Sequence, residues 1–335
     1  MKILVTGGAG YIGSHAVKLL LENHHQVFVI DNLYRGFREC IEVLQKKYGR
    51  ENLAFAEIDL RNFTAINAIL EKEKPAGVLH FAALCLVSES IEKPQDYFDN
   101  NLIGSLNLLK AVHCNGINNL VFSSTCAVYG ESQYLPIDEM HPLNPTNAYG
   151  DSKLMVEKMI FWFGKVYGLR YAILRYFNVA GAASDGLIGD SKKPSELLVQ
   201  NAVRGALGIE TFRLTCPKVK TKDGTPIRDY INIEDLVEAH LDSLNYLEKG
   251  GKSETFNLGT GNGNSVLEVV DQVKKLTGKN FLVEKSRPRK GEYAHVYADI
   301  GKARKLLGWQ PSRTLRDSVQ SLIKWYKSHP HGWQY

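Results

Sequence analysis

Apolar residues along the first half of the chain come in short, nearly unbroken runs, separated by stretches in which apolar positions recur at helical spacing. Lys2–Thr6, Gln26–Ile30, Leu53–Ile58, Gly77–Phe81, Leu120–Ser124 and Arg170–Tyr176 read as strands. Ser14–Asn23, Asn62–Lys72, Asp96–Asn115 and a segment from Asn147 to about Gly168 read as helices. Apolar strands alternating with helices predict a parallel sheet covered on both faces. Right-handed crossovers make this a doubly wound α/β sheet of the Rossmann type. From Ala180 the texture changes: Gly, Asp and Ser cluster over Ala180–Ser191, and the remainder mixes short helices and loops. The expected organisation is a Rossmann domain over 1–179, joined by a returning strand near 229–233, and a smaller mixed α/β domain over 180–335.

The first strand runs directly into Gly7-Gly8-Ala9-Gly10-Tyr11-Ile12-Gly13. Glycines at 7, 10 and 13 suit a tight turn, a close backbone approach to a phosphate, and close helix–strand packing. The helix that follows offers free N–H groups and a positive dipole to a pyrophosphate. A glycine triplet alone is weak evidence, but here it lies between a strand and a helix at the start of a βαβ unit. Asp31 ends the second strand, where a carboxylate bonds adenosine ribose hydroxyls and repels a 2′-phosphate, favouring NAD over NADP. Asp59 and Phe81-Ala82-Ala83 follow later strands on the same C-terminal edge, where ligands bind. Small residues at 82 and 83 leave room for a cofactor, although taken alone packing under a helix is the stronger reading of them.

Tyr149 and Lys153 stand at i and i+4 near a helix start, on one face. A phenol titrates near pH ~10; an adjacent ammonium and a cationic nicotinamide ring favour its phenolate and poise it as a general base. Thr125 closes the Phe122-Ser123-Ser124-Thr125 run at the end of a strand beside the cofactor strand, where a hydroxyl bridges substrate and phenolate. The plainer reading of Thr125 is a capping residue.

With these residues the chain resembles the UDP-hexose 4-epimerase group of the extended short-chain dehydrogenase/reductase family. The likeness runs from Met1 to about Trp325. It rests on Gly7–Gly13, Asp31-Asn32-Leu33, His80-Phe81-Ala82-Ala83, Tyr149/Lys153, Arg175-Tyr176-Phe177-Asn178, Asp223-Gly224-Thr225 and Arg228-Asp229-Tyr230-Ile231. The resemblance implies NAD contacts from Gly7, Gly10, Tyr11, Ile12, Gly13, Asp31, Asn32, Leu33, Asp59, Leu60, Phe81, Ala82, Ala83, Asn100, Ser123, Tyr149, Lys153 and Tyr176. It implies a nucleotide-sugar substrate whose diphosphate is held by Asn178, Arg228 and Arg289, with Glu292 at the uridine ribose. The implied reaction is inversion at C4. Tyr149 removes the 4-hydroxyl proton through Thr125, Lys153 stabilises the phenolate, and a tightly held NAD takes and returns the hydride around a transient 4-keto sugar. The chain departs from the pattern at Cys85, where these enzymes usually carry Lys, at Thr125 for the commoner Ser, and at Thr215 near the base. Val296 falls near the position that gates sugar size, leaving UDP-glucose/UDP-galactose, UDP-N-acetylglucosamine and UDP-xylose open. Cys126-Ala127 follow Thr125 where related dehydratases place an Asp-Glu pair, which argues against dehydration.

Composition adds limits. Over 335 residues, hydrophobic residues make up 44% and charged residues 23%, ordinary for a globular chain and enough for a large core. No run approaches the ~18 apolar residues of a membrane span. Net charge is +5, short of a nucleic-acid signature. Five scattered cysteines fit neither a zinc site nor a disulfide framework, so reduced thiols in a cytoplasm and no metal are expected. The family is often dimeric through two helices, here Asp96–Asn115 and Asn147–Gly168, so a homodimer is expected. Two other readings are a reductase with dissociable NAD(P)H and a non-catalytic nucleotide-binding regulator. The retained Tyr149/Lys153 pair speaks against the regulator.

Overall fold

The computed structural model describes residues 1–191, 195–285 and 293–333. The chain divides into two compact units. One comprises 1–130, 143–175 and 237–256; the other comprises 131–142, 176–236 and 257–335.

The first unit is built on a seven-stranded sheet. In chain order its strands are β1 (Lys2–Thr6), β2 (Gln26–Asp31), β3 (Leu53–Glu57), β4 (Gly77–His80), β5 (Asn119–Ser123), β6 (Arg170–Tyr176) and the strand Glu254–Leu258. The spatial order runs from Glu254–Leu258 through β6, β5, β4, β1 and β2 to β3. All pairings from β1 to β6 are parallel. Strand order reverses direction between β1 and β4, so the loops after these two strands flank the crevice where doubly wound sheets bind ligands. The apolar runs of β1, β4 and β5 are buried along their whole length apart from Lys2, as a sheet covered on both faces requires. Leu4, Ile30, Val78, Leu108, Leu120, Phe122, Val156 and Ile173 belong to one core that joins the sheet to its helices.

Helix boundaries follow local chemistry. The first helix, α1, covers Tyr11–Glu22, three residues earlier than the expected Ser14, because Gly10 adopts the extended N-cap conformation. The helix Ala148–Tyr167 starts where Asn147 accepts the Gly150 N–H at 2.9 Å and stops at Gly168 in the left-handed conformation. The expected continuous helix over Asp96–Asn115 is instead three pieces: Pro94–Tyr97, a π-helical segment Phe98–Ile103, and Gly104–Cys114. Within residues 1–130, the helices Arg38–Tyr48 and Val87–Glu92 have no counterpart in the sequence reading, nor does the 16-residue Ile233–Glu248 further along.

The second unit holds short strands. Tyr230–Asn232, the strand expected to return to the large sheet, pairs instead in parallel with Asn178–Ala180 in a separate two-stranded sheet. The strand beyond β6 in the large sheet is Glu254–Leu258. Ile227–Arg228 pairs with both Asn264–Ser265 and His295–Val296. Among the described residues no helix is long and apolar enough to cross a membrane.

Candidate active site

The glycine turn closes over β1 without side chains. Gly7 has φ +73°, and a Cβ there would lie 2.6 Å from the Ala82 nitrogen, so only glycine fits between β1 and the loop after β4. At Gly13 a Cβ would meet the Gly7 carbonyl oxygen at 2.1 Å, which ties α1 to the turn. No side chain caps α1 at Gly10, so the first turn presents its N–H groups without a side-chain acceptor. Tyr11 is buried and Ile12 half-buried at that helix start.

Asp31 is buried at the end of β2 and accepts the Ala9 N–H at 3.0 Å and the Leu33 N–H at 2.8 Å. Its carboxyl is pushed upward by burial, with those backbone bonds opposing the shift. Leu33 holds φ +57°, a left-handed conformation uncommon for leucine. Asn32 donates to Asp59 at 2.9 Å. The forked Arg61 guanidinium, at 2.9 and 2.8 Å, holds the Asp59 carboxyl well below the usual range. Glycine turn, Asp31, Asn32, Asp59 and Ala82 therefore stand on one edge of the sheet. Leu60 packs on the core beneath that edge, and Ala83 is half-buried in the loop after β4. The Phe81 ring lies 4.7 Å from His240, which also meets the Ser123 hydroxyl at 3.2 Å.

Tyr149 and Lys153 occupy one face of the helix Ala148–Tyr167, and both are buried. Gly150 lets the helix start press against the chain after Thr125: a Cβ there would lie 2.7 Å from the Ala127 oxygen. Tyr149 packs edge-on to Tyr97, ring centroids 6.4 Å apart, in a cluster with Leu84, Cys85 and Ala127. The Lys153 ammonium donates to the Ser123 carbonyl at 2.8 Å and sits 4.7 Å over the Phe122 ring. Burial brings its pKa down to about 8, against the attraction of Cys85 and Glu157. Thr125 accepts the Ala127 N–H at 3.2 Å, so it does cap the short turn Cys126–Val128. That bond uses a lone pair of Oγ1 and leaves the hydroxyl proton uncommitted by it. Capping and bridging are thus compatible at this residue.

Tyr176, Asn178 and Arg228 belong to the second unit. Asn178 and Arg228 line one pocket, together with Thr215, Phe212, Tyr230 and Glu196. Arg228 is braced by donating to the carbonyls of Ile227 at 2.9 Å and Tyr293 at 2.8 Å. Its neighbour Asp229, between the strands Ile227–Arg228 and Tyr230–Asn232, is buried and gathers the N–H groups of Thr260, Gly261 and Ala298, which fixes the junction of the two strands. Asp223 likewise accepts from Thr225 at 2.8 Å and from the Ser265 hydroxyl. Arg289 and Glu292 lie outside the described residues.

One residue at the first unit's site, Asn101, escaped the sequence reading, and a second, His80, entered it only as part of a resemblance motif with no role of its own. Asn101, beside the expected Asn100, is buried in the π-helical segment. It clamps the Leu84 backbone through both N–H and C=O, at 2.8 and 3.0 Å, and bonds Ser152 at 3.0 Å. Asn100 itself is half-buried and donates to Asn101. His80 is fully enclosed between Thr6, at 2.7 Å, and Ser105, at 2.8 Å. Burial, then the Lys153 charge, lowers its pKa to about 3. A polar residue within an apolar strand was the available signal for His80; for Asn101 there was none, since a π-turn leaves no mark on side-chain periodicity.

Comparison with known proteins places this geometry. The chain is 43% identical to the UDP-glucose 4-epimerase of Lactobacillus helveticus, over 100% of this chain and 99% of that one. A crystal structure of a UDP-glucose 4-epimerase superposes with TM-score 0.94 at 40% identity, covering 100% of both chains. The Bifidobacterium longum UDP-glucose 4-epimerase, crystallised in complex with NAD+ and UDP, superposes with TM-score 0.94 at 33% identity, covering 99% of this chain and 100% of that one. The sequence model of the NAD dependent epimerase/dehydratase family matches residues 3–259, most of the chain and the whole of the glycine turn, the hydroxyl run and the tyrosine–lysine helix, and the chain belongs to that family.

Proposed function

We propose that the chain inverts C4 of a UDP-sugar, with UDP-glucose and UDP-galactose as its substrates, through a transient 4-keto sugar and a retained NAD. The observation that carries this reading is the buried Lys153 ammonium, one helical turn beyond Tyr149 and fastened to the strand end that delivers Thr125. The residues of the glycine turn fit NAD. The side-chain-free start of α1 suits a pyrophosphate, and the Asp31 carboxylate keeps lone pairs beyond those given to Ala9 and Leu33 for ribose hydroxyls. Gly7, Gly10, Tyr11, Ile12, Gly13, Asn32, Leu33, Asp59, Leu60, Phe81, Ala82, Ala83, Asn100, Ser123 and Tyr176 complete its binding set in this reading. When bound, NAD supplies a reversible hydride acceptor.

The chain's own groups do the rest. Tyr149 Oη takes the 4-hydroxyl proton and later gives it back, with Thr125 Oγ1 as the bridge. The Lys153 ammonium stabilises the phenolate. Asn178 and Arg228 hold the diphosphate; on the resemblance alone Arg289 joins them and Glu292 meets the uridine ribose. A forked, permanently charged guanidinium suits that ligand. Binding energy concentrated there keeps the nucleotide anchored while the sugar is held loosely.

The same reading makes the protein a cytoplasmic homodimer. Its five cysteines are free thiols. The helix Ala148–Tyr167 exposes Phe161, Trp162, Val166 and Tyr167 to an extent that suits a partner surface. Light scattering giving twice the chain mass is the expected result.

The deciding test mixes purified protein with UDP-galactose, adds no NAD, and follows the sugar protons by NMR. Conversion to the gluco epimer is expected. Absence of conversion and of NAD in the denatured protein would overturn the retained-cofactor mechanism.

A further inference from the structure

One buried charge of the first unit has no part in the chemistry above. Glu157 is 5% exposed and sits one turn beyond Lys153 on the same helix. Its carboxylate accepts the Ser124 hydroxyl through Oε1. Arg175 of β6 grips it in a fork, Nε to Oε1 at 3.0 Å and Nη2 to Oε2. The remaining Arg175 nitrogen donates to the Tyr129 hydroxyl at 3.1 Å. A carboxylate so deeply buried is costly unless its oxygens are all occupied, and here they are.

The placement along the chain is informative. Lys153 bonds the carbonyl of Ser123, and Glu157, at i+4, bonds the hydroxyl of Ser124. Two successive turns of one helix thus hold two successive residues at the end of β5, and the next residue is Thr125. Ser124 is further pinned to β6 through its N–H on the Leu174 carbonyl at 2.8 Å. The helix that carries Tyr149 is therefore bolted, in one register, to the strand that carries Thr125.

We propose that Glu157 is a positioning residue for the epimerase reaction, setting Thr125 against Tyr149 through Ser124 and supplying the carboxylate that faces the Lys153 ammonium. The inference rests on the proposed function and deepens it. The other groups facing Lys153 are Tyr149 on its own helix, the Phe122 ring and Ser123 carbonyl of β5, neutral His80 of β4, and the Cys85 thiol after β4. Glu157 is the one carboxylate in that set, with Arg175 paired to it from the far side.

Two variants separate position from charge. Glu157→Gln keeps the shape and an acceptor for Ser124 but removes a negative charge. Each nearby proton is then held less tightly, so the Tyr149 and Lys153 limbs of the kcat–pH profile both move toward acid, by about half a unit or more. Ser124→Ala removes only the hydroxyl; kcat falls about tenfold, KM for the UDP-sugar stays, and the profile does not move. A merely structural role lowers the melting midpoint and leaves the profile of active enzyme where it was. A Glu157→Gln profile superimposing on that of the unaltered protein overturns the proposal, as does a Ser124→Ala kcat within twofold of it. Should Glu157→Gln not fold, Glu157→Asp decides. It retains the charge but draws it back from Ser124, so a loss of kcat without a shift supports the proposal and an unchanged kcat overturns it. Unaltered protein inactive on UDP-galactose would refute the epimerase reading itself, a distinct result.

Discussion

The two units solve different problems with different materials. In the first, the reacting side chains hang from the ends of long parallel strands and from one 20-residue helix. These side chains and the polar groups beneath them are buried, and backbone carbonyls or neighbouring hydroxyls fix them: Lys153 on Ser123, and below it His80 between Thr6 and Ser105. In the second, Asn178 and Arg228 come from strands of three and two residues. Bracing there is done by loops folding onto a buried Asp229. Rigid elements hold atoms to the tolerance that proton transfer needs, whereas an anchor for a diphosphate needs charge presented at an accessible surface. The first unit should therefore answer to substitution in turnover, the second in affinity.

The largest effect tests the first half of that contrast. Tyr149→Phe keeps the ring against Tyr97 and removes only the hydroxyl. We expect kcat to fall by about 10³-fold, within the range of general acid–base losses, with NAD still released on denaturation and the UDP-sugar KM little changed. A large change in KM with kcat intact would break the contrast at its strongest point.

Next comes the cost of burying polar groups in the first unit. His80 stays neutral in the fold down to about pH 3, whereas unfolded it protonates near 6.5. Between these values the unfolded chain binds more protons, so stability rises with pH across the window and drains away as pH falls from 6.5 toward 3. The contribution is on the order of 4 kcal/mol at the acid end. In His80→Gln, urea midpoints should start lower at pH 7 and fall less steeply on acidification than in the unaltered protein. Parallel curves would show that His80 is not the titrating group.

Arg228→Ala tests the second unit. Loss of a charge-assisted fork to a diphosphate should weaken UDP binding by about 30-fold, read by calorimetry, with NAD content and kcat at saturation near those of the unaltered protein. Arg228→Lys restores charge without the fork and should recover only part of that loss. A fall in kcat without loss of affinity would mean that Arg228 acts on chemistry and that the division between the units is false.

How far this contrast could be read from sequence follows the same line. β1 and β6 have the boundaries their apolar runs predict, and the doubly wound order follows from strand–helix alternation. Glycine turn, Asp31 and the Tyr149/Lys153 pair are legible because each is a short-range spacing attached to a regular element. Arg38–Tyr48 escaped because only Cys40, Ile41 and Leu44 of its residues are buried, too thin a stripe to register against its charges. Glu254–Leu258 escaped because only Phe256 and Leu258 of its five residues are apolar, too short a run to register. The break at Phe98–Ile103 is a change of hydrogen-bond register, invisible to periodicity. In the second unit, Asn178 and Arg228 reach one pocket with Thr215 from strands too short to carry a pattern, and only the resemblance singled them out beforehand.

The smallest effect is the most discriminating about the first unit's economy of form. Leu33 stands at φ +57° in the turn after Asp31, where its own N–H reaches the Asp31 carboxylate. For a residue with a Cβ this conformation costs about 1–2 kcal/mol, which glycine avoids. Glycine gives back roughly 0.5–1 kcal/mol through the freedom of its unfolded chain. Leu33→Gly should therefore stabilise the fold by less than about 1 kcal/mol. If the leucine is kept in a strained backbone because its side chain covers the bound cofactor, the same change should speed NAD loss several-fold, measured as free NAD appearing over time in dialysis. A strained residue whose removal improves both stability and retention would have no function to offset it. The rule that the first unit holds its side chains where they act would then end at β2 and not extend into the turn beyond it.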